Sequence, residues 1–123
     1  MRQSSVEPFV TPGLGTWSEW MPFPDPRTGG ILHAPFGPGC YDLRLANSGQ
    51  KVLCGKGNNV AYRMTSLLPA PLGCGTRKNK DKRDFVLEHL SSIEYRTIAL
   101  APSKEAKEVE DELRASGGYL FPT

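Results

Sequence analysis

No apolar run in this 123-residue sequence approaches the roughly 18 to 20 residues that a membrane span needs. Its start, punctuated by Pro8, Pro12, Gly13 and Gly15, carries no apolar signal-peptide core. Cysteine is scarce. Cys40, Cys54 and Cys74 are an odd number without C-x-x-C spacing, which argues against a disulfide framework and for a reducing, cytoplasmic setting. With only His33 and His89 beside them, no paired-ligand spacing exists for a zinc module, and buried cysteines acting as small hydrophobes are the simpler reading. Gly37-Pro38-Gly39 and Gly55-Lys56-Gly57 are glycine-rich, yet neither has the G-x-G-x-x-G or Walker pattern that cradles nucleotide phosphates. Large net charge is absent as well. The formal +2 is too small to indicate nucleic acid by itself, so the distribution of charge has to be read instead.

What is present reads as one domain by length, with 38% hydrophobic and 23% charged residues, ordinary values for a globular protein. Seven of the 11 prolines fall in residues 1–38, so little regular structure is expected there. Phe9, Trp17, Trp20, Met21, Phe23, Ile31, Leu32 and Phe36 nevertheless give this stretch more apolar bulk than a solvated linker carries. It reads as an aromatic, proline-rich arm, packed across its own domain or across a partner subunit. In the second use its aromatics would hold a homodimer together.

Regular structure starts at Gly39. Tyr41, Leu43 and Leu45 alternate with Asp42 and Arg44 at the strand period, Asn47-Ser48-Gly49 forms a turn, and Lys51 opens a return strand that Gly55-Lys56-Gly57 interrupts. Asn58 or Asn59 caps a helix whose Val60, Met64 and Leu67 recur at i, i+4 and i+7, which leaves Arg63 beside the buried seam. A Pro/Gly connection follows. Arg77, Lys78, Lys80, Lys82 and Arg83 then set five cations against Asp81 and lead into a helix through Phe85, Val86, Leu87 and Leu90, a junction suited to gripping phosphates. Residues 93–100, with Tyr95, Thr97 and Ile98, give a third strand. Ser103 caps a last helix with the seam Ala106, Val109, Leu113, bordered by Glu110 and stopped by Gly117-Gly118. The predicted fold class is α+β: a small, mainly antiparallel sheet of three strands flanked by about three helices.

Four features taken together carry more. Gly39-Cys40-Tyr41, then Leu53-Cys54-Gly55 after eleven residues, then Arg63 eight positions on, and finally Ala106-x-x-x-Glu110-x-x-Leu113, resemble the GIY-YIG nuclease family across residues 39–113. The resemblance implies a nuclease domain over 39–123 behind the 1–38 arm. By it, Tyr41 matches the first motif tyrosine, Arg63 the helix arginine and Glu110 the glutamate that binds one divalent ion, while Leu53 stands where the second tyrosine is expected. The implied activity is metal-dependent endonucleolytic hydrolysis of DNA. Tyr41 would act as general base, helped by Lys56 or the metal, Arg63 would contact the scissile phosphate, and Glu110 would hold Mg²⁺ or Mn²⁺. Arg77, Lys78, Lys80, Lys82 and Arg83 would grip flanking backbone. Leu53 also admits a second expectation, a nuclease-fold module with impaired catalysis that binds nucleic acid or a protein partner.

Overall fold

The computed structural model describes residues 15–69, 73, 79–101 and 105–121. Arg77, Lys78, Cys74 and the cap at Ser103 lie outside them. Among the described residues the sheet is antiparallel and has four strands, not three, in the order β1-β4-β2-β3. These are β1 (Met21–Pro22), β2 (Gly39–Leu45), β3 (Lys51–Gly57) and β4 (Ile93–Ala99). The additional strand comes from the stretch expected to be irregular. Pairing of a two-residue edge segment needs only backbone groups, so neither period nor propensity announces it. β3 likewise continues through Gly55-Lys56-Gly57, because Tyr41, Cys40 and Gly39 stand opposite to pair with it.

Three α-helices complete the domain: α1 (Val60–Met64), α2 (Lys80–Glu88) and α3 (Glu105–Ser116). No described helix is long and apolar enough to cross a membrane. α1 is short, and its seam is completed by a 3-10 turn at Thr65–Leu67. The Asn59 side chain caps it by accepting from Tyr62 N, while the carbonyls of Gly37 and Pro35 accept from Val60 N and Ala61 N. The loop before β2 is thereby fastened to the helix start.

The two faces of the sheet are covered differently. Tyr41, Leu43, Leu53 and Tyr95 point to one face and build the main core with Val60, Met64, Val86 and Leu90. Leu43, Leu53 and Tyr95 stand side by side across three strands, each at most 1% exposed, and such residues contribute about 1.5–3 kcal/mol apiece. Cys40 and Ile98 point to the other face, where α3 packs through Ala106 and Val109. The 15–38 stretch runs along β4. Ser18 N donates to Thr97 O, Thr97 N donates to Ser18 Oγ, and Phe23 N donates to Ile93 O. Phe23 is buried edge-on against Tyr95, and Trp17 and Trp20 lie over the Arg96 guanidinium, so the arm's expected partner anchors pack on their own domain. At the opposite edge, Leu120 N and Phe121 N donate to the carbonyls of Lys51 and Val52 and cover the beginning of β3.

Candidate functional site

Tyr41 lies opposite Gly55 in the β2–β3 ladder, and its ring passes across that glycine. A Cβ at position 55 would run into the ring and the hydroxyl, so only glycine admits this path. The tyrosine is buried. Burial raises its pKa, while the charge and hydrogen bonding of the Arg63 guanidinium pull it back down and the Glu110 carboxylate pushes it up. Arg63 and Glu110, from two separate helices, thus both bear on the Tyr41 phenol.

Arg63 is exposed on the last turn of α1, and its stem passes close to the end of β3, near Gly57. Glu110 occupies the buried seam of α3 with Ala106, not its border. Its Oε2 forms an ion pair with Arg114 Nη2, one helical turn on, at 3.2 Å. Sequence reasoning missed Arg114 at this site, although the i, i+4 spacing from Glu110 is the signal that could have found it.

Lys82, expected to grip flanking backbone, is half-buried on α2, with its pKa lowered first by burial and then by Arg114 and Arg63, against a raising influence of Glu110. Among the described residues, the two other cations of that segment have partners of their own. Arg83 Nη2 donates to the carbonyls of Leu68 and Gly73, and its Nε is buried without a partner, so Arg83 braces the connecting loop. Lys80 pairs with Asp84 at 2.8 Å on an exposed helix face. Lys56 pairs in register with Cys40, which directs its side chain to the face opposite Tyr41. Arg63 is a cation whose charge bears on the phenol.

Both described cysteines are free and buried. The Cys40 thiol donates to Ala106 O at 3.1 Å and is pushed up to about 12, chiefly by burial. Cys54 is also raised by burial, with Arg114 and Tyr119 pulling it down. Neither is a thiolate nucleophile at neutral pH. Leu53 is sealed in the core between Leu43 and the helices, and Tyr62, next to Arg63, points into solvent. No described tyrosine therefore stands beside Tyr41 to complete a pair.

Among the described residues no group of three or more His, Cys, Asp or Glu gathers. One nearly buried carboxylate, Glu110, stands here, ion-paired with Arg114. An ion of the Mg²⁺ type keeps several waters and can take one carboxylate plus phosphate oxygens, so Glu110 could serve as such a ligand on release from Arg114. Searches against protein-family models, curated proteins and solved structures found no match to this chain.

Proposed function

We propose that this chain is a divergent GIY-YIG nuclease, an endonuclease that hydrolyses DNA phosphodiester bonds with one Mg²⁺ or Mn²⁺ held at Glu110. What supports the reading is the Arg63 stem beside Gly57, two residues from the Gly55 that the Tyr41 ring crosses, together with Glu110 buried on α3, the helix that packs on β3.

In this reading Arg63 and Lys82 bind the non-bridging oxygens of the scissile phosphate. Arg63 offers a planar fork of donors, and Lys82 a single desolvated charge. Both stabilise the extra negative charge that develops as water attacks phosphorus. When bound, the divalent ion supplies Lewis-acid polarisation of the phosphate and charge for the departing oxygen. Tyr41 holds the attacking water and accepts its proton only as phenolate. Its pKa is raised, so the phenol is protonated at pH 7 and the active fraction grows tenfold per pH unit in the neutral range. Cleavage is therefore expected to accelerate steadily from pH 7 to 9; a plateau at neutral pH would remove Tyr41 as the base.

The direct test is incubation of plasmid, branched and single-stranded DNA with the protein in Mg²⁺ or Mn²⁺. Cleavage should be lost in Arg63→Ala and Glu110→Ala. No cleavage by the wild type, or cleavage equal to wild type by both variants, overturns the activity.

One observation favours a second reading, a binding module derived from such a nuclease. Leu53, 1% exposed in the core, offers no hydroxyl where the family resemblance expects a second tyrosine. DNA binding that persists in chelator, with no turnover of any substrate, would decide for it.

A further inference from the structure

The large apolar side chains that remain exposed among the described residues concentrate beside α1. Ile31 is 69%, Phe36 84% and Tyr62 77% exposed. Phe36 and Tyr62 border one groove of about 360 Å³, with Leu32 and Leu68 toward its base and Asn59 and Thr65 supplying polar groups. Neither ring sits on loose chain. Phe36 lies between the two carbonyls, of Pro35 and Gly37, that receive the first N–H groups of α1. Tyr62 N donates to the Asn59 side chain, and Tyr62 O accepts from Thr65 Oγ1 at 2.6 Å. Two aromatic side chains are thus carried in solvent on a backbone that hydrogen bonds hold in place. Arg63, exposed, is the next residue along the helix, with its stem beside Gly57.

We infer that this groove receives an unpaired nucleobase of the strand whose phosphate lies at Arg63, stacked on Tyr62 and Phe36. The inference rests on the nucleic-acid reading of the neighbouring site. Charge selects the occupant. A flat apolar ring system tethered to an anion satisfies both the exposed aromatics and the adjacent Arg63, as in single-strand binding surfaces that combine a basic track with stacking platforms. A helix from another protein would satisfy the groove and leave that cation unmatched. A backbone held beforehand lowers the ordering cost of binding.

Fluorescence anisotropy with two labelled oligomers of about 12 nucleotides, one of thymidylate and one base-free with the same number of phosphates, tests the inference on the intact chain. Wild type should bind the thymidylate oligomer more tightly. Tyr62→Ala and Phe36→Ala should each weaken that binding by about 5- to 150-fold, leaving the base-free oligomer and the salt dependence unchanged. Arg63→Ala should weaken both oligomers and reduce the salt slope by about 0.7. Equal wild-type affinity for the two oligomers, or indifference to both aromatic substitutions, overturns the base subsite and leaves the phosphate site standing. Failure of the wild type to bind either oligomer overturns both. Self-association of the wild type that Phe36→Ala abolishes would assign the groove to a second copy of the chain and likewise overturn the inference.

Discussion

Asp42 and Glu110 are both buried carboxylates on this small domain, and they are treated in opposite ways. Asp42, with 0% exposure, accepts from Lys51 Nζ at 2.9 Å, from Arg96 Nε and Nη2 at 3.1 and 3.0 Å, and from the Tyr119 hydroxyl at 2.6 Å. Arg96 is in turn covered by Trp17 at 4.2 Å and Trp20 at 4.8 Å. Both oxygens have partners drawn from β3, β4 and the C-terminal tail. Among the described residues Glu110 has one ion pair, from its own helix, and its Arg114 partner is more than a third exposed. A carboxylate whose acceptor sites are taken by distant parts of the chain holds those parts together. One held by a single neighbour on the same helix can change partners at little cost. The contrast separates a carboxylate that ties distant parts of the fold together from one whose described ion pair is local to its helix.

The strongest challenge to that contrast is Asp42→Asn. It leaves the buried ends of Lys51 and Arg96 without their anion and should lower unfolding stability by about 3–5 kcal/mol, read from urea denaturation. Lys82→Ala should weaken DNA binding about tenfold, close to 1.4 kcal/mol, and reduce the salt slope. Charge reversal at the exposed Lys80 should do less. Removing the competitor of Glu110 by Arg114→Ala should tighten Mn²⁺ binding in the absence of DNA by about fivefold, roughly 1 kcal/mol, measured by calorimetry. Smallest of all is the stability change of Glu110→Gln, expected within about 0.5 kcal/mol because an i, i+4 pair of this exposure is worth no more. A loss as large as that of Asp42→Asn would make Glu110 a second structural anchor.

Much of the site's framework was readable before any coordinates. The period-two alternation places Tyr41, Leu43 and Leu45 on one face, because this is a local consequence of backbone geometry, whereas the 3.6-residue seam of the last helix put Glu110 only at the border of the stripe in which it is buried. Asp42 was not readable as a core residue. Alternation assigns it to the face opposite Tyr41 but does not say what covers that face, and here the cover is α3, the tail and two tryptophans far away in sequence. The same limit applies to the basic segment. Its composition announced cations, whereas the division of labour between Arg83 on the loop carbonyls and the half-buried Lys82 depends on how α2 rotates against its neighbours. The two-residue β1 left no pattern to read.

The most direct measurement is Mn²⁺-dependent cleavage of end-labelled branched DNA by wild type beside Glu110→Gln protein whose urea midpoint is unchanged. Cleavage by wild type and its loss by about 100-fold or more in the variant is the predicted result, since the substitution removes the ion's only expected protein ligand. Equal cleavage by the two proteins would contradict the division of roles between Glu110 and Asp42.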